Sequence, residues 1–477
     1  MFALANADSA DVESGEYSVN DVTVTEPGVI RRAVGAAAIG NVTEWFDFGV
    51  YSYLAVKIES VFFAGLSPTM STIATLGTFA AAFLVRPFGG LFFGPLGDRI
   101  GRQKVLSLTV IMMAISTFII GILPDYSTIG VAAPMLLLLA RLLQGFSTGG
   151  EYGGAMAFIA EYAPDKRRGF LCSFLEFGTL TGYAMGATFA TLLEVLLSED
   201  ALLSWGWRIP FLIAGPIGAI GLYLRMKLEE TPAFAKIAAE SESREGNQTL
   251  AEFRKIFVNH WPAMLVCGGI VLVFNVTNYV LTSYMPTYLT QTLPEYGHAG
   301  TDSTVSQVLQ IIVLVLSMVL ITFVGKLSDR IGRKPVMYTG CVLLVVLSIP
   351  AVMLLKTGGT VATFCGLALM GLMLLCFNST SPSTLPALFP TDIRYGGLSI
   401  AFNISVSLFG GTSATVIASL IAVTGDLNTP AYYLMGAGVI GAVAVYFAKE
   451  SAGKRLPGSP PAAVDHAEAQ QLATKAG

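Results

Sequence analysis

Charged side chains are scarce in this chain of 477 residues, since Asp, Glu, Lys and Arg together make up only 13% of it. Soluble domains average about 25%. Hydrophobic residues instead reach 53%, and the mean hydropathy is +0.66. This balance excludes an ordinary soluble domain and predicts a polytopic membrane protein. No segment is strongly basic, so we expect no nucleic-acid partner.

Metal-ligating and reactive side chains are also sparse. The three histidines are scattered, and the five cysteines lie in or beside apolar runs without a CxxC pair. This spacing predicts neither a metal site nor a cofactor. We find no nucleophile–base pair and no Walker-type phosphate loop, so we expect neither an enzyme nor an ATP-driven pump. The acidic, polar N-terminus is unlike a signal peptide, and the first membrane helix is expected to direct insertion.

Twelve apolar runs are long enough to cross a bilayer as helices, which takes about 20 residues each. They begin near residues 33, 71, 105, 131, 170, 206, 261, 305, 336, 360, 397 and 428. The longest polar stretch separates the first six from the last six. We predict an all-α protein with a cytoplasmic segment 1–32, six-helix halves 33–225 and 261–450, a cytoplasmic linker 226–260 and a disordered tail 451–477.

The distribution of basic residues predicts the orientation. If both termini are cytoplasmic, 23 of the 28 Lys and Arg residues lie on the cytoplasmic side. The five exceptions are Lys57, Arg86, Arg141, Arg208 and Lys356. By the positive-inside rule, this bias predicts a multi-pass plasma-membrane protein with both ends in the cytoplasm.

Two motifs occur twice at nearly the same spacing. The segment Gly94-Pro-Leu-Gly-Asp-Arg-Ile-Gly-Arg returns 231 residues later as Gly325-Lys-Leu-Ser-Asp-Arg-Ile-Gly-Arg. The segment Glu161-Tyr-Ala-Pro-Asp-Lys-Arg-Arg is echoed 226 residues later by Ala387-Leu-Phe-Pro-Thr-Asp-Ile-Arg. Two matched offsets indicate that the whole half-chain is duplicated, an arrangement found in many secondary transporters.

Each copy of the first motif joins two predicted helices. Glycine permits positive φ and close helix approach, and the Asp can accept charge-assisted hydrogen bonds from Arg or from a helix N-terminus. We expect these turns to latch one arrangement of the two halves, although basic residues there would also serve topology alone. The predicted gating residues are Gly94, Gly97, Asp98, Arg99, Gly101, Arg102, Asp329, Arg330, Gly332 and Arg333.

These turns resemble the signature motif of the major facilitator superfamily, which implies its fold of two pseudo-symmetric six-helix halves. The segments Glu44-Trp-Phe-Asp-Phe and Gly149-Gly-Glu-Tyr resemble narrower motifs of its metabolite:proton symporter family. Second-half segments such as Ser383-Thr-Leu-Pro and Ala401-Phe-Asn-Ile are most similar to the proline/glycine betaine symporters. Osmosensing members carry a long C-terminal coiled coil, but no heptad runs through this tail.

Charged residues inside the predicted spans also point to function, because each costs at least ~2.5–3.5 kcal/mol at a helix centre. The proton-coupling candidates are Glu44, Asp47, Glu151 and Glu176, with Glu44 or Asp47 ranked first. The arginines of the same half offer an alternative, a permanent lattice of ion pairs. The second half carries asparagines at Asn275, Asn278, Asn378 and Asn403 instead.

The resemblance implies a zwitterionic solute, which needs aromatic faces for its ammonium and an arginine for its carboxylate. The candidates are Trp45, Phe48, Tyr51, Tyr152, Tyr279 and Tyr284, with Arg86 or Arg141; packing is the alternative for each ring. We predict a proton-driven importer of glycine betaine or proline. The alternatives are a symporter of carboxylates such as 2-oxoglutarate, citrate or shikimate, and a non-transporting sensor. The expected partners are solute, proton and lipid, without an obligate protein partner.

Overall fold

Twelve long helices dominate the computed structural model, which describes residues 22–66, 68–226 and 255–475. The first half contains α1 (Pro27–Tyr53), α2 (Pro68–Ile100), α3 (Arg102–Ile122), α4 (Ala132–Tyr162), α5 (Arg168–Leu196) and α6 (Arg208–Met226). The second half contains α7 (Trp261–Glu295), α8 (Ser303–Ile331), α9 (Arg333–Thr357), α10 (Thr360–Thr384), α11 (Arg394–Thr424) and α12 (Thr429–Phe447). The predicted all-α, twelve-helix fold is confirmed.

Most of the predicted N-terminal segment and linker, residues 1–21 and 227–254, lie outside the described residues. Eight of the described helices are long and apolar enough to cross a membrane, namely α2, α3 and all six of the second half. The apolar part of α6 is shorter, at Arg208–Tyr223. The remaining three, α1, α4 and α5, bury charged side chains inside the bundle. The charges that lower their hydropathy therefore face protein rather than lipid.

The most extensive helix contacts between the two halves form an equivalent pair. Helix α2 packs on α11, and α5 packs on α8. The duplication relates α2 to α8 and α5 to α11, so each contact is the counterpart of the other. Within the first half, glycines at 178, 182 and 186 bring α5 against α1, where a Cβ would collide with α1 carbonyl oxygens. Such small-residue contacts suit helices that pack in a bilayer.

Helices α7 and α11 are not regular along their length. Helix α7 contains π-turns at Val280–Tyr284 and Tyr288–Thr292, and α11 contains one at Val406–Gly410. Their counterparts α1 and α5 are regular α-helices throughout. π-Turns inside α-helices frequently mark functional sites.

The C-terminal tail differs from the predicted disorder. A short strand β2 (Ala462–Ala463) pairs in parallel with β1 (Thr23–Val24), and a helix follows at His466–Lys475. Leu456 and Ala469 are buried. Low apolar content and several prolines favour disorder. The tail is nevertheless ordered, because its backbone carbonyls accept hydrogen bonds from the buried Arg168 and Arg394.

Candidate functional site

Glu44 of α1 forms an ion pair with Arg86 of α2. Glu44 Oε1 lies 2.6 Å from Arg86 Nη2, and both side chains are buried. Three residues further along α1, Asp47 Oδ2 accepts a hydrogen bond of 2.9 Å from Arg141 Nη1 of α4. Residues three apart share a helix face, so one face of α1 presents two carboxylates to two different helices.

The Asp47–Arg141 pair is enclosed within the first half. Arg141 Nη1 also donates to Gln144 Oε1 at 2.8 Å, and Gln144 Nε2 donates to Thr117 Oγ1 at 2.7 Å. The Arg141 guanidinium lies 4.1 Å from the centre of the Tyr51 ring. Every group named here belongs to α1, α3 or α4, so this pair and its hydrogen bonds connect three helices of one half.

The Glu44–Arg86 pair, in contrast, lies beside residues of the second half. Arg86 is 5.4 Å from the centre of the Phe83 ring, which meets Tyr279 of α7 edge-on at 5.7 Å. Trp45 lies 6.4 Å from Tyr279 and 5.8 Å from Tyr183. We call these rings the aromatic cluster; its members are Trp45, Phe48, Phe83, Tyr183 and Tyr279.

Two polar atoms of the aromatic cluster are buried without a hydrogen-bond partner in the described part of the chain. They are Trp45 Nε1 and Tyr279 Oη. Arg86 Nε, beside the cluster, also has no acceptor there. Buried polar groups are nearly always paired, and leaving one unsatisfied costs about 1–3 kcal/mol. A polar solute bound among these rings would supply acceptors for the donors that lack one.

Glu176 of α5 stands apart from the other buried acids. Its Oε1 accepts from Tyr152 Oη of α4, and its Oε2 accepts from Asn378 Nδ2 of α10 at 3.2 Å. No Lys, Arg or His of the described residues forms an ion pair with it. Its side chain is fully buried, and its two partners come from opposite halves. Glu176 therefore links the halves through neutral hydrogen-bonding groups.

The structure separates the other predicted site residues. Tyr51 belongs to the enclosed Arg141 pair, and Tyr152 lies with Glu176 rather than with the aromatic cluster. Tyr284 packs against Tyr288 at 5.8 Å, with no ring contact to the cluster among described residues. Glu151 is buried on α4.

The sequence assigned no binding or coupling role to three residues that the structure brings to these sites. Phe83 and Tyr183 belong to the aromatic cluster, and Asn378 contacts Glu176. The only signal for Phe83 was its spacing, three residues before Arg86 on the same helix face. No sequence signal pairs Asn378 with Glu176, because 202 residues separate them.

The first repeated turn clamps the beginning of α11. Asp98 Oδ2 accepts from the Gly396 backbone N–H at 2.6 Å, and Asp98 Oδ1 accepts from that of Tyr395 at 3.2 Å. Arg102 Nη2 lies 3.1 Å from Asp98 and donates to the Thr391 carbonyl at 2.6 Å. A carboxylate at a helix N-terminus satisfies open N–H groups and suits the helix dipole.

The second repeated turn makes the reciprocal contact with α5. Asp329 accepts from the backbone N–H groups of Gly169 and Phe170 at 2.7 and 2.8 Å. Arg333 is 3.7 Å from Asp329, a looser pair than in the first turn. Each half thus holds the first turn of a helix from the other half through an aspartate. We call the side formed by residues 100–102, 163–167, 331–333 and 385–393 the motif face.

The remaining motif residues divide by role. Arg99 and Arg330 are exposed, whereas Arg102 and Arg333 are buried. Gly101 and Gly332 have φ of 105° and 100°, a region that favours glycine. A Cβ on Gly94 or Gly97 would overlap Gly396 or the Tyr395 ring. Both the turn geometry and the close helix approach therefore require glycine.

Comparison with known proteins agrees with this architecture. The chain is 47% identical over 460 residues to the glycine betaine/proline/ectoine/pipecolic acid transporter OusA of Dickeya dadantii, and 46% identical to the proline/betaine transporter of Escherichia coli. Both alignments cover 95% of this chain and 90% of the relative. The structure of the proton:xylose symporter XylE, a major facilitator protein, superposes with a TM-score of 0.75 at 20% identity, covering 91% of this chain and 98% of XylE.

The family described as "Sugar (and other) transporter" matches residues 33–459, which include all twelve helices except the first turns of α1. The relatives are transporters rather than enzymes, as the sequence predicts. This chain belongs to the sugar (and other) transporter family and has the major facilitator fold.

Proposed function

We propose that this protein imports a small zwitterion such as glycine betaine or proline together with a proton. One structural observation carries the proposal: an aromatic cluster with open donors at Trp45 and Tyr279 lies beside Arg86, where the halves meet. The names of the relatives, which are 46–47% identical, supply the solute class. Carboxylates such as 2-oxoglutarate are the rival solutes.

The arrangement fits the two ends of a betaine. A quaternary ammonium is attracted to the faces of Trp and Tyr rings, with a gain of about 2 kcal/mol or more when it is desolvated. Arg86 holds Glu44 through Nη2, and its Nε has no acceptor among the described residues. A solute carboxylate can therefore approach Arg86 without displacing Glu44. The second cation near these rings, Arg141 at 5.3 Å from the centre of the Phe48 ring, is already paired with Asp47. A dicarboxylate would therefore bring a second negative charge towards a site whose other arginine is engaged, which favours the zwitterion.

Glu176 is the acid that best fits the coupled proton. Glu44 and Asp47 each face an arginine, and removing the charge from either would leave a buried arginine without its counter-ion. In the described part of the chain Glu176 has only neutral hydrogen-bonding partners, and an isolated buried carboxylate is costly in its charged form. Since Asn378 comes from the other half, separating the halves would change the surroundings of this carboxyl and release its proton.

The two aspartate clamps supply the gate for alternating access. On the motif face, Asp98 and Asp329 together accept hydrogen bonds from four backbone N–H groups of the opposite half. This face must open for the solute to leave on that side, so the clamps must break during each cycle. The positive-inside bias of the sequence supports a cytoplasmic motif face in the plasma membrane.

The test is uptake into cells that lack their own carriers for these solutes. Labelled glycine betaine, proline and 2-oxoglutarate are compared with and without a protonophore. We expect betaine and proline to accumulate above the external level, and the protonophore to abolish that accumulation. Accumulation of 2-oxoglutarate alone would favour the rival solute class. Accumulation that survives the protonophore but needs sodium would contradict proton coupling.

A further inference from the structure

The C-terminal segment crosses from one half to the other on the motif face. Arg168 Nη1 donates to the Lys454 carbonyl at 2.8 Å, and Arg394 Nη2 donates to the Pro457 carbonyl at 2.7 Å. Arg168 and Arg394 are equivalent in the duplication, 226 residues apart. Two tail carbonyls only three positions apart therefore bind equivalent arginines of the two halves.

Further contacts fasten the segment on each side. In the second half, Thr391 N–H donates to the Pro457 carbonyl at 3.1 Å, and the hydroxyls of Thr391 and Ser459 are 2.7 Å apart. In the first half, Ala462 N–H donates to Asp165 Oδ2 at 3.1 Å. Because these contacts follow one another along the tail, the segment runs from the first half to the second and back.

Both ends of this segment are also held. At its beginning, Glu450 accepts from the backbone N–H groups of Arg333, Lys334, Ser451 and Ala452. Burial by itself raises the pKa of the Glu450 carboxyl, but these N–H groups hold its pKa below the ordinary range. At its far end, Lys166 and Glu468 form an ion pair of 2.5 Å. The tail is therefore attached at several independent points.

The tail and the clamps hold the same two helix starts. Arg394 is followed by Tyr395 and Gly396, whose N–H groups bind Asp98. Arg168 is followed in the same way by the two N–H groups that bind Asp329. Both arginines are fully buried, and tail carbonyls are among their acceptors. Moving either helix start away from the other half would break the clamp and the tail contact together.

We propose that residues 454–468, the strap, hold the motif face closed, and that this face opens only after the strap has left at least one half. The proposal concerns the opening of the motif face and does not depend on which solute is carried. It also assigns a conformational role to a segment without a coiled coil.

Cys172 offers a built-in reporter of this opening. It lies one turn into α5, it is buried, and the charges of Arg168, Arg333 and Asp329 act on its thiol. In a variant that keeps Cys172 as its only cysteine, a maleimide reagent labels this thiol only when the face opens. The labelling rate then measures opening without any solute.

Two strap variants are compared in this background. A chain that ends at Leu456 loses the Pro457 carbonyl, which is one of the acceptors of Arg394, and Ala462→Pro removes the N–H that binds Asp165. Pro461→Ala is the matched control, because it exchanges a proline at the adjacent position without removing a donor. We expect labelling to accelerate roughly tenfold in the shortened chain, as when a two-state equilibrium loses a charge-assisted hydrogen bond. A smaller acceleration is expected for Ala462→Pro and none for Pro461→Ala. Labelling at the parent rate in both strap variants would overturn the proposal.

Cross-linking tests the same inference through transport. In a cysteine-free background, the pair Thr391→Cys and Ser459→Cys ties the strap to the second half, and Lys166→Cys with Glu468→Cys ties it to the first. We expect either disulfide alone to leave transport running and both together to stop it, with recovery after reduction. Undiminished transport with both disulfides formed would contradict the proposal. Parent and reduced proteins that fail to carry betaine or proline would contradict the proposed solute instead, while the Cys172 labelling result would stand.

Discussion

Away from the motif face, the first half buries two carboxylate–arginine pairs between its helices, whereas the buried polar groups of the second-half helices there are mainly amides and hydroxyls. Glu44 and Asp47 each face an arginine. In the second half, Asn275 Nδ2 donates to the carbonyl one turn earlier in its own helix, and Asn403 Nδ2 donates across to the Gly149 carbonyl. A duplicated fold thus keeps its packing in both copies while the ionisable groups concentrate in one. We interpret the first half as the half whose buried charges handle the proton, and the second as a mainly uncharged surface that packs against it.

The largest effect is expected from Arg141→Met. It leaves Asp47 buried beside Gln144 without a cation, and breaking a buried pair costs about 3–5 kcal/mol. Folded yield and thermal unfolding in detergent measure the loss. The matched change in the second half is Asn275→Leu, which removes a local hydrogen bond worth about 0.5–1.5 kcal/mol. Equal losses from the two variants would remove the contrast between the halves.

Glu176→Gln should next abolish uphill accumulation while preserving exchange of solute between equal pools. The amide keeps the shape and the contact with Asn378 but carries no exchangeable acid. The measurement is accumulation against exchange in vesicles with an imposed proton gradient. Asn378→Ala, on the second-half side of the same contact, should keep accumulation and change its rate by less than about tenfold. Full accumulation by Glu176→Gln would show that an acid other than Glu176 carries the coupled proton.

Substitutions of the two clamp aspartates should have smaller effects on transport, and the two effects should differ in size. Asp98→Asn should lower turnover about tenfold or more, because the amide cannot accept the two backbone N–H groups with a full charge. Asp329→Asn should have a weaker effect, since Arg333 is 3.7 Å from its aspartate and Arg102 only 3.1 Å from Asp98. Initial uptake rates at matched surface expression decide the order. A larger loss of turnover in Asp329→Asn than in Asp98→Asn would contradict this ranking of the two clamps.

The smallest effect is expected at the aromatic cluster. Tyr279→Phe should raise the KM for betaine about threefold to tenfold, the value of one hydrogen bond, if solute satisfies its hydroxyl. Tyr284→Phe is the matched control. Tyr284 also lies on α7, and its buried hydroxyl likewise has no hydrogen-bond partner among the described residues, but its ring lies outside the cluster. Concentration-dependent uptake distinguishes them. Equal KM values for both variants would place the solute elsewhere.

Much of the fold was predictable because its signals are local. Hydrophobic runs located the twelve helices, and the repeated motifs revealed the duplication. Glycine permits positive φ in the repeated turns, and Gly101 and Gly332 use that freedom. The aspartate clamps followed from the general affinity of carboxylates for helix N-termini.

The pairing of charges required the tertiary structure. The sequence places Glu44 and Asp47 on one face of α1, but it does not show that α2 supplies one arginine and α4 the other. The sequence ranks Glu176 below Glu44 and Asp47, because only the packed bundle shows that no Lys, Arg or His of the described residues pairs with it. The tail was misjudged for a similar reason, since its attachment depends on backbone carbonyls that any sequence provides.

The π-turns of α7 and α11 have a consequence for how the duplicated halves are aligned. Each π-turn holds one more residue than a regular turn, so every later side chain is rotated by roughly 100° relative to an uninterrupted helix. Tyr279 lies just before the first of these turns, at Val280–Tyr284. Beyond it, a constant sequence offset no longer joins residues on matching faces of α1 and α7. Mutations transferred between the halves by sequence offset alone would therefore reach the wrong side of the helix, and pairs of equivalent positions must be chosen in space.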